Sequence, residues 1–254
     1  MGQRLDNARA LYLEAIGEGN YVEAINSYAG ARYTQHSTPV KDGKEGFIEF
    51  FADFVERNPI RDIEIIRGFE DGPWVFLHVV QTLNGGEFRY VTADIFDTDD
   101  DAKLIEHWDI IEEIRDTTAS GRSQVEGPTE ISDLDQTEAN KQLVTRFVNE
   151  VLVAGEVDRL PEFVADDIAQ HNPNIADGVA ALRAYIDDSA MRYIDVHKVV
   201  GAGNFVAVLA ESEFDGKRHA VIDLCRVEAG KIVEHWDVIE AITPEHTWVN
   251  SGKF

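Results

Sequence analysis

The chain writes one eight-residue word twice, "LIEHWDII" at 104–111 and "IVEHWDVI" at 232–239. The likeness extends upstream. "YTQHSTPVKDG" at 33–43 is answered by "IAQHNPNIADG" at 168–178, and in both an Asp-Gly pair follows the His at the same distance. Gln35-His36 and Gln170-His171 stand 135 residues apart, whereas His107 and His235 stand 128 apart, so the second copy has the shorter middle. A period this long marks a duplicated domain, because stacked repeat units run only about 20–50 residues. The 254 residues suffice for two ordinary domains. The boundaries read as 1–115 for the first and 137–254 for the second. Between them, 116–136 is polar and rich in Gly, Ser, Thr and Pro, the composition of a linker. A short tail closes the second copy from Thr243 to Phe254, with Trp248 placed to pin it.

Each copy reads as helices followed by strands. In the first, 5–16, 21–28 and the stretch after Gly43 carry apolar residues at helical spacing. Strands are expected at about 61–69, 74–83, 87–97 and 103–111, separated by Asp71-Gly72-Pro73, Asn84-Gly85-Gly86 and Asp99–Asp101. In the second copy, helices are expected at 137–153, 158–164 and 179–189, and strands at about 195–201, 205–213, 218–227 and 231–239. Helices and then an antiparallel meander is the α+β pattern.

Composition removes several function classes. With 44% hydrophobic residues the chain can build a core. A net charge of −25 argues against a nucleic-acid groove or an anionic membrane surface, both of which need clustered Lys and Arg. The single cysteine, Cys225, forbids an intrachain disulfide and sits in an apolar run, where packing is the expected role. No stretch approaches the ~18 apolar residues of a membrane helix, and the expectation is a cytoplasmic protein.

Strand alternation divides the repeated word. His107 and Asp109 share one face, and Glu106 and Trp108 the other. A three-residue loop closed by Gly230 would set Asp223 opposite His235, and a four-residue loop at 99–102 would set Asp94 opposite His107. In the preceding strand Trp74, Phe76 and His78 share a face. The first copy is thus expected to gather His36, His78, Asp94 and His107. The second would gather His171, Asp223 and His235, with Leu209 where His78 would stand. On this count the first copy is the better candidate site.

"QHNPNIADG", the His within "VFLHV" and the closing "GKIVEHWDV" resemble the SnoaL-like branch of the NTF2-like superfamily, whose members are polyketide-cyclase-like or aldol-condensation-like proteins. The resemblance covers both halves, roughly 5–114 and 137–242. It implies two tandem cone-shaped α+β barrels, each with N-terminal helices packed on a curved, mostly antiparallel sheet. It also implies pairing through the sheets, so that a duplication would supply a pseudo-dimer within one chain, with further homodimer formation open. In the family's cyclases an Asp on the late strands is the acid/base. The matching residues here are Asp94 and Asp223, with His36, His78, His107, His171 and His235 as donors or shuttles. Gln35, Trp74, Phe76, Asp109, Gln170 and Asp237 would complete the substrate pocket.

The chemistry expected of such residues is cofactor-independent proton transfer on a small, largely apolar carbonyl compound: aldol cyclisation, isomerisation or dehydration. A carboxylate in an apolar pocket has its pKa raised toward neutrality, and a facing imidazole donates or shuttles the proton. Three other readings stay open. An Asp–His pair can simply satisfy two buried polar groups. The pocket can bind a small ligand without turnover. His36, His78, His107 and Asp94 can form a metal site, although no short His-x-His or His-x-x-x-His pair supports it. Trp108 and Trp236 are expected in core or subunit-interface packing, and Glu106 and Glu234 at solvent or toward the other half.

Overall fold

A computed structural model describes residues 2–189 and 191–254. The chain divides into two compact units, Met1–Glu113 with Thr243–Phe254, and Ile114–Ile242. The 116–136 stretch therefore belongs to the second unit rather than standing apart, and the 243–254 stretch belongs to the first.

In the first unit, α1 (Gln3–Tyr12) runs into a π-helical turn at Leu13–Glu18 and is followed by α2 (Tyr21–Tyr28), β1 (Ala29–Gln35) and α3 (Gly43–Arg57). The strands β2 (Arg61–Asp71), β3 (Trp74–Leu83), β4 (Phe88–Thr98) and β5 (Leu104–Glu113) follow, in sheet order β1-β5-β4-β3-β2. The second unit repeats this. α4 (Thr137–Arg146) ends in a π-helical turn at Phe147–Val153. α5 (Leu160–Phe163), β6 (Val164–Gln170) and α6 (Val179–Asp188) come next, then β7 (Arg192–Ala202), β8 (Phe205–Phe214), β9 (Lys217–Glu228) and β10 (Lys231–Ala241). Its sheet order is β6-β10-β9-β8-β7. Each unit is α+β, with a five-stranded sheet that is antiparallel except for one pair.

That pair is what the sequence reading lacked. β1 and β6 run parallel to β5 and β10, and register sets Gln35 beside His107 and Gln170 beside His235. Their sequences, "AGARYTQ" and "VADDIAQ", carry Ala, Gly and Asp that strands usually avoid. Tertiary pairing overrides that preference. The expected helix at 158–164 accordingly shrinks to α5, and the chain turns extended at Val164.

In both units the helices cover one face of the sheet. In the first, α1, α2 and α3 pack Leu11, Ile25, Phe47 and Phe51 against Val75, Leu77, Val79 and Phe96. In the second, Val144, Phe147, Val148 and Leu182 meet Val206, Val208, Ala210 and Cys225. Among the described residues no helix is long and apolar enough to cross a membrane.

The turn between β7 and β8 shows how tightly 116–136 is held to the second unit. Gly203 has φ +58°, and a Cβ there would lie 1.8 Å from the carbonyl oxygen of Ser132. Asn204 locks the same approach, donating its N–H to Ser132 O at 2.9 Å and accepting Ser132 N–H through Oδ1 at 2.9 Å. Gly203→Ala is expected to destabilise the second unit by about 1–3 kcal/mol through strain and displacement of this strand-like contact, read from urea unfolding.

Candidate functional site

The last hairpin of each unit aligns the acidic residues differently from expectation. In the second unit Ala229 and Gly230, both at positive φ (48° and 74°), form a two-residue turn between paired Glu228 and Lys231. Such turns match the twist of the flanking strands. A register shift between Ile232 and Glu234 follows, so Cys225 pairs with His235 and Asp223 with Asp237. In the first unit Phe96 pairs with His107 and Asp94 with Asp109. The shift from the expected pairing is two residues, which moves the partners along the strand but leaves them on the same face. Asp and His then meet diagonally.

In the second unit His235 Nε2–H donates to Asp223 Oδ1 at 2.9 Å, and Nδ1–H donates to Gln170 Oε1 at 2.9 Å. The Tyr193 hydroxyl reaches both Asp223 oxygens, at 3.0 and 3.1 Å. Asp223 is thus enclosed by donors. Asp237 is not. Its Oδ2 accepts from Asn172 Nδ2 at 2.6 Å, while its Oδ1 is buried with no hydrogen-bond partner. Asp237 is 5% exposed. Burial pushes its pKa up, and the nearby Asp223 adds to this against the opposing pull of His235. For His235, burial works against the charged ring, but the bond to Asp223 and the charges of Asp237 and Asp223 outweigh it, and the pKa is raised.

These groups form the polar end of a cavity of about 620 Å³, its open mouth included. The walls are apolar: Phe147, Leu152, Ile168, Leu182, Ile186 and Met191 among them. Among the described residues no Lys or Arg lines it. Asp223, His235 and Asp237 also offer one ligand atom each within 4.8 Å of one another, close enough to share a divalent ion.

The first unit repeats the pair among bulkier side chains. His107 Nε2 lies 2.9 Å from Asp94 Oδ1, and Gln35 Oε1 lies 3.1 Å from His107 Nδ1. A donor chain runs from Gln81 to the Tyr12 hydroxyl (2.9 Å), on to Thr92 (2.8 Å) and to Asp94 Oδ2 (2.9 Å). Burial raises the Asp94 pKa despite these bonds. Phe96 stacks on His107 at 4.3 Å, and Tyr33, Phe47 and Phe51 close around it. Cys225, Ile168, Leu182 and Ile186 hold the matching places in the second unit. Smaller side chains line the cavity there.

Several expected pocket residues are elsewhere. Register pairs Leu77 with Asp94, which puts Trp74, Phe76 and His78 on the opposite face of the sheet. There Trp74 packs on Trp108 at 5.9 Å, Phe76 on Phe69 at 4.9 Å, and His78 Nδ1 meets Arg67 Nη1 at 3.1 Å. His36 and His171 are also on that face, one step beyond the inward Gln. They stack on Trp108 and Trp236 at 4.5 and 4.6 Å. Their Nε2 atoms bind Glu106 and Glu234 at 2.9 and 3.0 Å, so these glutamates are engaged rather than solvated. The four-member His36, His78, His107 and Asp94 metal set is therefore not assembled. Tyr193 and Asn172 are site residues that sequence reasoning missed. Asn172 stood in the repeated word, directly after His171, and its difference from Ser37 was the available signal.

Two of the titrations give stability a pH dependence. A raised His235 pKa means that its contribution is complete below the ordinary 6.5 and is lost as pH rises through the higher folded value. Raised Asp237 acts with the same sign, since its ionisation above the ordinary 3.8 is disfavoured in the fold. The second unit is expected to melt at lower temperature as pH goes from mildly acid to alkaline, and His235→Gln to flatten that slope in thermal scans.

A family model described as "SnoaL-like domain" matches residues 8–107 and 144–235. No curated protein matches the chain significantly. Among solved structures, a Kribbella flavida protein assigned as a ketosteroid isomerase is 17% identical over 44% of this chain and 88% of its own, with TM-score 0.38. A Bacillus cereus protein assigned as a polyketide cyclase is 19% identical over 43% and 74%, with TM-score 0.39. The Streptomyces antibioticus protein IdmH, also assigned as a polyketide cyclase, is 19% identical over 40% and 91%, with TM-score 0.34. The two family-model matches span most of the sequence, and the chain belongs to the SnoaL-like domain family, present here as a tandem pair.

Proposed function

We propose that the second unit catalyses proton transfer next to the carbonyl of a small, uncharged, mainly apolar compound, with Asp237 taking and returning the proton. The observation that carries this reading is the unpartnered Asp237 Oδ1 at the polar end of an otherwise apolar cavity. A carbon acid needs a base whose pKa lies near the working pH, and burial moves Asp237 in that direction. The C–H bond breaks, the proton passes to Oδ1 and the electron pair moves onto the carbonyl oxygen. The nearest donors, the Tyr193 O–H and the His235 Nε2–H, both bind Asp223, and one of them turns from that carboxylate to the new oxyanion. Return of the proton to another carbon is isomerisation. Attack of the enolate on a second carbonyl is aldol cyclisation, and loss of a β-hydroxyl is dehydration. The absence of Lys and Arg from the lining disfavours carboxylate and phosphate substrates.

The test is hydrogen–deuterium exchange at the α-carbon of a panel of small cyclic ketones and enones, followed by NMR with the full chain. Exchange above the buffer rate supports the reading. Saturable binding with no exchange would replace it by a non-catalytic ligand-binding module. Ile186→Phe copies Phe51 of the first unit into the lining. It is expected to cut exchange at least about tenfold by occupying the cavity, with a stability change of ~1–3 kcal/mol for overpacking.

A further inference from the structure

The two units are closed by matching segments from different parts of the chain. In the second unit Ala119 N–H donates to Pro173 O at 2.9 Å, and Ser123 O lies 2.6 Å from His171 Nδ1. In the first, Val249 N–H donates to Thr38 O at 3.1 Å, and Gly252 O lies 2.7 Å from His36 Nδ1. Thr38 and Pro173 each stand two residues after the clasped His. The carbonyls that clasp the two imidazoles align Gly252 with Ser123, with one residue more between the two contacts in the second unit, and the next position is Lys253 in the one and Gln124 in the other.

That position differs in charge, and so does the acid it serves. Lys253 is 3% exposed, and its Nζ lies 3.3 Å from Asp109 Oδ1. A lysine is rarely buried this deeply without an opposite charge to meet. Asp109 is the first unit's counterpart of Asp237, two residues past the motif His on the same strand face. Gln124 is 1% exposed and neutral. Its Oε1 accepts from Arg115 N–H at 2.7 Å, and its Nε2 is buried with no partner, as is Asp237 Oδ1. The first unit thus balances two carboxylates with an imidazole and an ammonium. The second has only the imidazole, and an oxygen left over at the end of a cavity.

We propose that Lys253 is a tethered occupant of the first unit's acid site, and that this clasp position decides which half of the chain is free to act. The ammonium stands where a reacting group would have to approach Asp109. The neutral Gln124 leaves the equivalent acid to the ligand. The consequence for turnover rests on the reading of Asp237 as the proton acceptor, whereas the occupancy of Asp109 does not.

The experiment exchanges the charge between the two clasps in the full chain. Lys253→Met keeps the stem and removes the ammonium. Followed by carboxyl-carbon NMR, Asp109, which also faces Asp94, His107 and Ser37, is expected to titrate at higher pH in this variant than in the parent. An unmoved Asp109 titration overturns the proposal. Gln124→Lys is expected to reduce ketone exchange at least about tenfold while Gln124→Met, of similar size and no charge, keeps more than half of it. Equal exchange in the two overturns the assignment of the clasp position. If Gln124→Lys does not fold, the Asp109 titration still decides. A shifted Asp109 with no exchange in the parent chain sinks the proposed activity and leaves the clasp assignment standing.

Discussion

Asp237→Asn is expected to lower α-carbon exchange by about 100-fold or more, the usual worth of a positioned acid–base group. The second unit's melting temperature should change little. The side chains are nearly isosteric, and a carboxamide oxygen can still accept from Asn172. What is lost is the lone pair on Oδ1, the atom that meets no protein donor. Asp223→Asn makes the informative contrast. Asp223 accepts from His235 and from Tyr193. Removing its charge leaves a raised, buried imidazolium without its counter-ion, so this variant should lose stability as well as rate, by ~3–5 kcal/mol for one broken partner of a buried pair. A rate loss confined to Asp223→Asn, with Asp237→Asn at parental exchange, would move the base to Asp223 and end the present assignment. Measured together, rate and melting temperature separate a proton acceptor from a structural partner.

The duplication, the order of elements apart from β1 and β6, and the inward side of the repeated word were legible because they depend on parity and on repeated residues. A two-residue error in hairpin register leaves His235 and Asp223 on one face, so the pairing survives the wrong turn type. The face of β3 was not legible. Trp74, Phe76 and His78 alternate with Val75, Leu77 and Val79, and both sets are apolar enough to be inward. A strand buried on both sides shows no alternation to read. His36 and His171 were misplaced for a related reason. Only the parallel pairing of β1 and β6 fixes Gln35 and Gln170 inward, which turns the next residue outward. How bulky the surroundings of each pair are also escaped, because that turns on volume. Phe96 against Cys225 and Phe51 against Ile186 are unremarkable core exchanges until register sets them around the same imidazole.

Trp236→Ala is expected to lose ~3–5 kcal/mol of stability, because a buried aromatic this size leaves both lost contacts and a void. Trp236 is 1% exposed, stacks on His171 at 4.6 Å and donates its indole N–H to Glu126 O at 2.8 Å. Removing it strands the Glu126 carbonyl and frees one face of a ring whose Nδ1 meets the Ser123 carbonyl. The 116–126 clasp should therefore loosen before the sheet does. Hydrogen exchange can see this directly, through the Ala119 amide bonded to Pro173 O. That amide is expected to lose protection in Trp236→Ala by more than amides in β8 and β9. The loosening also reaches the site, since Ser120 Oγ donates to the Gln170 backbone carbonyl and Gln170 holds His235. Exchange chemistry in this variant should fall below what its folded fraction predicts. Uniform loss of protection across the second unit would instead make Trp236 a core residue with no particular tie to the clasp. The outward half of the repeated word then acts on the inward half through Gln170, which is a physical reason for Glu-His-Trp-Asp to recur as one word.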